Sequence, residues 1–409
     1  MSGRRAELPP PLVGILLLPG GINHGFISVA LGFILAQHGV SVSVIAGLIG
    51  LRLLPDTWCF LSGPLVDCTL TTARWYVLAV VSQAAGLLSL GFLPFDAGGT
   101  ALMAPLCVAL GIAAIVGNSA TTSMVALTTR LEVRGACAGW RQVGYLGGIG
   151  LGGGAGLWLS THGAGPRVAA GLLGLICASC AWPFLLVTVP RAARSNTLAR
   201  SSREAVDSLW MLLRSRDGLL AVIAVTLPAG LGVAMSLMPA VAGDWGASAA
   251  LVAMVTGLLG GLANVPGCAV AGYLCDRFPR RTVYMYSALA CAAGDAVMAI
   301  FPHTPQSFAV FVLANAALTG LAYGSVTAVI FDRLGKLGAA TVGGVLSSLS
   351  NLPVVLVTVL VGVVQTRHGS NAMLFVEAGL GTISVAVYAL LVSVWRPRAS
   401  PAAPVASLP

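Results

Sequence analysis

The sequence predicts an all-α integral membrane protein with twelve transmembrane helices in two pseudo-symmetric six-helix bundles. Of its 409 residues, 57% are hydrophobic and 9% charged, with a mean hydropathy of +0.92. A soluble domain carries about 25% charged residues. A chain so poor in charge cannot cover a water-facing surface, so lipid is its main solvent. The apolar residues gather into runs of about 20, the length a helix needs to cross the hydrocarbon. The runs of the second half repeat those of the first in order and spacing.

The spans fall near residues 12–36, 41–66, 75–95, 100–128, 141–160 and 168–189, then 218–242, 248–274, 282–301, 307–331, 339–365 and 372–394. The first contains Pro19 and Asn23 without an A-x-A cleavage site. It reads as a retained span, not a removed signal peptide.

A net charge of +9 raises the question of nucleic acid, and the distribution of cations answers it. The cations are all Arg except Lys336, and they form short clusters between apolar runs. Arg52 falls inside a span, and Arg167 and Arg367 lie on one side of the membrane. All the others, including Arg130, Arg134 and Arg141, fall on the opposite side. This is the positive-inside pattern of a membrane protein and calls for no nucleic-acid partner. It predicts cytoplasmic termini in a bacterial inner membrane.

Domain boundaries follow from the same pattern. Residues 1–189 form the first bundle and 218–395 the second, with a polar linker at 190–217 and a Pro/Ala-rich, disordered tail at 396–409. Leu209, Trp210, Leu212 and Leu213 give the end of the linker an apolar face, suited to an amphipathic helix on the membrane surface or to a helical start of span seven. Cys177 and Cys180 form a CxxC within a span, but without the further ligands a zinc site needs. They read as small packing residues, and neither metal nor cofactor is called for. A monomer is expected.

The internal repeat is specific in letters. Leu18–Gly21 (LPGG) recurs as Leu227–Gly230 (LPAG), and Gly63–Asp67 (GPLVD) as Gly272–Asp276 (GYLCD). Gly47–Gly50 (GLIG) recurs as Gly257–Gly260 (GLLG), and Arg130–Ala136 (RLEVRGA) as Arg333–Ala339 (RLGKLGA). Four matches in the same order, one six-span cycle apart, mark two parallel repeats related by an axis along the membrane normal.

GYLCDRFPRR, Gly272–Arg281, resembles the loop motif G-x-L-x-D-R-x-x-R-R of the major facilitator superfamily. The first-half copy keeps Gly63, Leu65 and Asp67 but has Cys68 where Arg is usual. The resemblance implies transport of a small solute by alternating access. It also implies a gating role for Gly63, Asp67, Gly272, Asp276, Arg277, Arg280 and Arg281. Glycine permits close helix approach, and each aspartate can accept hydrogen bonds from a neighbouring helix N-terminus. The arginines can pair with carboxylates across the cytoplasmic mouth, or serve as positive-inside anchors. More narrowly, Pro55–Asp67 (PDTWCFLSGPLVD) resembles the second helix of muropeptide-permease and acetyl-CoA-transporter relatives, with Cys59 in place of their Lys.

Charges deep in spans are costly there and usually face a cavity or a partner. Arg52 and Asp56 are four apart on one helical face, either neutralising each other or acting as substrate contact and coupling carboxylate. His24 and Asn23 follow Pro19-Gly20-Gly21, a loosened helix at mid-depth. His24 is a binding or titrating group, or a hydrogen-bonded packing residue. Asp295 is a proton-site candidate by depth, but its span is peripheral in the superfamily, which favours a packing role. Glu377 is placed shallow enough to reach interfacial water. Gln142 and Asn264 supply neutral hydrogen-bonding capacity, and Tyr145 and Tyr323 are cavity aromatics. Gly144, Gly148 and Gly152 repeat the small-xxx-small spacing of close helix pairs.

The five isolated histidines and short loops leave no catalytic constellation, so no enzyme is expected. The expected function is proton-coupled uptake of a muropeptide-, siderophore- or metabolite-like solute. Drug or metabolite efflux is the alternative, disfavoured by the absence of a Gly-Pro pair in span five, and a membrane sensor on the same scaffold ranks below it.

Overall fold

The computed structural model describes residues 8–40, 42–162, 165–183, 198–227, 229–230, 232–335 and 338–395. Among them every regular element is helical. Seven helices are by themselves long and apolar enough to cross a membrane. One of these, Ala339–Val394, holds two passes: Gly369 breaks it with φ 80° and ψ 179°. Thr341 and Tyr388 lie at the same end of the molecule, beside Asp67 and Arg281 respectively, so the chain turns back at Gly369. The remaining passes are built from shorter pieces. Span two is Val42–Leu53, a 3-10 turn over Leu54–Trp58, and Cys59–Cys68. Span seven is Arg216–Thr226 and Val233–Val241, separated by a stretch in which Gly230 and Gly232 take positive φ.

Span five differs from its expected limits. Its helix starts at Arg134, not at 141, and continues through a π-helical turn to Thr161. Arg141 therefore lies two turns, about 10 Å, inside the helix and is not a surface cation. The charge at Arg134 does not stop the helix because carbonyls of the other half receive it: its guanidinium donates to Phe331 O and Leu334 O, both at 2.8 Å. The linker contains a helix, Leu198–Arg214, with Val206, Trp210 and Met211 exposed. Residues 184–197 and the tail 396–409 lie outside the described residues.

Span five is the centre of the packing, and glycine allows it. A Cβ at Gly144 would collide with the Gly14 backbone, and one at Gly152 with Ile22, both in span one. Gly148 sits against Leu18 and Gly21 of the same span. Another face of span five meets span eight, where Gly139 lies on Cys268 and Gly272 and Gly150 on Gly261. Backbones this close make extended van der Waals contact, which replaces the hydrophobic effect inside lipid. Three π-helical turns, Phe26–Leu31, Leu151–Ala155 and Ala253–Leu259, occur in spans one, five and eight.

Overpacking such a contact costs about 1–3 kcal/mol. Gly144→Val should therefore lower the unfolding midpoint of the detergent-purified chain clearly more than Gly47→Val, since Gly47 has open space around it. Equal midpoints would show that the glycine contact carries no such weight.

Candidate functional site

The two loop motifs lie at one end of the molecule, and there each half grips the other. The Asp67 carboxylate, at the end of span two, accepts from Ala340 N at 3.3 Å, and from Thr341 N and Thr341 Oγ1 at 2.9 Å each. Ser123 Oγ donates to it from span four at 2.9 Å. Asp276, at the end of span eight, accepts from Ala136 N at 2.9 Å and from Gly135 N. In both cases the amides are those of the second and third residues of a helix in the opposite half: span eleven for Asp67, span five for Asp276. A carboxylate there satisfies donors that the helix leaves unpaired and meets the positive end of its dipole. Gly63 makes the approach possible, since a Cβ would strike Thr341, and Gly272 plays the same part against Ala136 and Gly139.

The arginines of the motif do not pair with carboxylates across the mouth among the described residues. Arg277 lies over the Tyr273 ring, 4.2 Å from its centroid. Arg280 pairs at 2.6 Å with Asp332 of its own half, and Arg281 at 3.6 Å with Asp217. At this end Arg280 crosses between the halves to the Leu131 carbonyl, and Arg134 crosses to the end of span ten. Carbonyls at a helix C-terminus are good partners for a guanidinium and leave no acid to bury.

Above this closed end lies a polar layer at mid-depth. Arg52 is fully buried, donating to Asp56 Oδ2 at 3.4 Å and to Gly20 O at 3.3 Å. Asn351 of span eleven donates to Asp56 O at 3.3 Å. Arg141 lies within electrostatic reach of Asp56. It donates to Asn118 Oδ1 at 2.7 and 3.3 Å and to Thr327 Oγ1 at 3.3 Å. Gln142 donates to the same Thr327 hydroxyl at 2.8 Å, joining spans five and ten. His24 Nδ1 and Tyr145 OH are 3.1 Å apart, joining spans one and five. The structure thus gathers His24, Arg52, Asp56 and Gln142 around one layer. It leaves Asn23 out, turned to Gln83 of span three at 3.3 Å.

Toward the opposite end a cavity of about 210 Å³ opens between spans one, five, seven, eight and ten. Val29, Gly153 and Thr256 bring all three π-helical turns to its wall, and Asn264 and Thr319 are among its polar residues. Its span-five wall, Leu146, Ile149 and Gly153, continues the helical face that carries Gln142.

Asp295 and Glu377 form a separate acid pair in the second bundle. Glu377 is buried, not interfacial: it accepts from Val233 N at 2.6 Å and from Ala234 N, where span seven restarts after its break. Four donors left open by that break draw the carboxylate inward. Asp295 accepts from Asn315 Nδ2 at 3.2 Å, and both acids line one narrow cavity with Gly230 and Gly232.

Arg134 and Arg141 are read from the sequence as surface cations, not as site residues. Arg134 and Arg141 are seven apart, hence on one helical face, which was a usable signal once the helix is started early enough.

This arrangement defines a polytopic helical membrane protein: two similar helical halves, closed on each other at one end, around a polar centre. The sequence model of the Major Facilitator Superfamily matches residues 220–407. The fold of the whole chain is that of the same group. It is similar to the human organic anion transporter MFSD10 (TM-score 0.70, 15% identity, covering 93% of this chain and 100% of that one). It is also similar to the E. coli fucose:proton symporter FucP (0.68, 15%, 94% and 99%) and to the proton:xylose symporter XylE (0.66, 14%, 94% and 95%). At these identities the likeness shows the fold alone. No curated protein sequence matches the chain. The second half thus carries the sequence signature of that superfamily, and the whole chain has the fold of its solved transporters.

A hydrogen bond to a charged group contributes about 1.5–3 kcal/mol. Asp276→Asn should therefore shift the chain toward opening at the motif end by roughly 10- to 100-fold. Spin labels at Leu131→Cys and Phe278→Cys, exposed positions on opposite halves, should report a longer distance in the variant. An unchanged distribution would remove Asp276 from the latch.

Proposed function

We propose that this secondary transporter moves a small organic solute by alternating access, coupled to protons, with the latched motif end facing the cytoplasm. The observation that carries it is the reciprocal grip of Asp67 on span eleven and Asp276 on span five. Two related halves joined by a few releasable contacts at one end can rock to expose a central site to either side. The positive-inside count supports the orientation. The proton symporters among the structural neighbours support the coupling.

The coupling site we favour is the Asp295–Glu377 pair. Two carboxylates facing one narrow cavity cannot both carry charge cheaply, which favours a shared proton. The groups around them are Asn315, Cys291, Tyr323 and the amides of span seven, none of them a cation. Asp56 is a weaker candidate, because its carboxylate is already paired with Arg52 at 3.4 Å. Glu377 sits on the break of span seven, so a proton gained or lost there acts on a ready hinge.

Proteoliposomes with a trapped pH dye test both parts. A panel of sugars, sugar acids and short peptides should include solutes that drive proton entry. Asp295→Asn should reduce that proton movement at least about tenfold while leaving solute exchange within about threefold. Proton entry unchanged in Asp295→Asn would remove the pair from coupling. Exchange without proton movement in the parent would make the protein a uniporter.

A further inference from the structure

Arg52 and Arg141 give the centre of the molecule one positive charge more than its own residues neutralise. We infer that this excess binds the oxyanion of the transported solute, a small organic acid bearing a carboxylate or phosphate. This deepens the transport reading above and rests on it.

The charge count is local and short. Arg52 and Arg141 face a single carboxylate, Asp56. The partners of Arg141 are neutral oxygens, Asn118 Oδ1 and Thr327 Oγ1. Arg52 has its Nε buried without a partner, in a side chain that is fully buried. The neighbouring histidine, His24, brings no negative charge, and its ring is met by a tyrosine hydroxyl. Four further acids of the spans are engaged elsewhere: Asp67 and Asp276 on helix ends, Asp295 and Glu377 in the second bundle. Neither guanidinium sits on the carbonyl end of a helix as Arg134 does, and a buried cation without such partners or a counter-charge is costly. Asp56 nevertheless keeps 30% of its side-chain surface accessible at mid-depth, so there is room beside the triad.

The ligand chemistry follows from the donors. A guanidinium matches a carboxylate or phosphate in geometry; Arg52 Nε is without a partner, and the Arg141 fork is held only by neutral oxygens that an oxyanion can replace. The cavity of about 210 Å³ begins one helical turn beyond Gln142. Leu146, Ile149 and Met235 line it, giving an apolar wall for a small organic body. An inorganic anion would use the charge and leave that wall empty.

The test is the unfolding midpoint of the full chain in lipid nanodiscs, titrated with benzoate, its neutral isostere benzamide, and inorganic phosphate. Benzoate should bind at least about tenfold more tightly than benzamide and more tightly than phosphate. Arg141→Gln should weaken benzoate at least about tenfold, and Arg141→Lys should restore part of the loss. Asp56→Asn, which raises the excess charge, should tighten benzoate several-fold; a merely structural triad would only lose stability. Benzamide binding as well as benzoate, or a benzoate response that survives Arg141→Gln, overturns the anion site. Phosphate equal to benzoate assigns the charge to a resident inorganic ion and overturns the cargo class. If Arg141→Gln does not fold, failure of Asp56→Asn to tighten binding overturns the proposal by itself. Benzoate binding as described, in a protein that exchanges no solute across liposomes, leaves the site standing and overturns the transport reading alone.

Discussion

The closed end depends on carboxylates placed on the first-turn amides of helices from the opposite half. Asp67 and Asp276 occupy equivalent positions in the two repeats, and each reaches the amides of the second and third residues of its partner helix. The interaction is strong because charge, hydrogen bonding and the helix dipole act together. It is also local: each carboxylate meets only the first turn of its partner helix, apart from the packing inside either half. A contact strong in one arrangement and absent in the other is what a two-state machine needs.

The remaining interface is arranged around that latch. Span five meets span one through Gly144, Gly148 and Gly152 and span eight through Gly139 and Gly150, so its backbone is shared between a partner in its own half and one across the interface. On the same helix, Arg134 reaches the end of span ten and Arg141 reaches the polar centre. One helix therefore senses the latch, the interface and the site together. The acid pair lies apart from this, in the second bundle, where Glu377 holds the restart of span seven.

Much of the fold was legible from the letters. Hydropathy placed the passes, and the recurring Gly63–Asp67 and Gly272–Asp276 segments revealed the repeat whose halves the structure brings face to face. The details that escaped share one cause: in a chain where every helix face is apolar, periodicity cannot say what a polar residue meets. Arg141 looked like a surface cation because span five was started seven residues late, and Arg134 concealed the true start because its charge is satisfied by carbonyls far away in sequence. Glu377 looked shallow because the break in span seven that draws it inward is made by backbone conformation at Gly230 and Gly232. Arg277, Arg280 and Arg281 read as a mouth-spanning set because the motif groups them, yet each turns to a different neighbour.

The three π-helical turns have a consequence for how such a protein diverges. A π turn holds about one residue more than an α turn, so it arises from a single inserted residue and vanishes with a single deletion. Every residue beyond it is rotated by about 100° relative to an uninterrupted helix. In spans one, five and eight these turns border the cavity, while in spans five and eight the Asp276 contact lies at the other end of the helix. One-residue length changes can thus present a new face of each helix to the cavity while leaving the closing contacts in register. Selectivity and gating can then drift independently along a single rod.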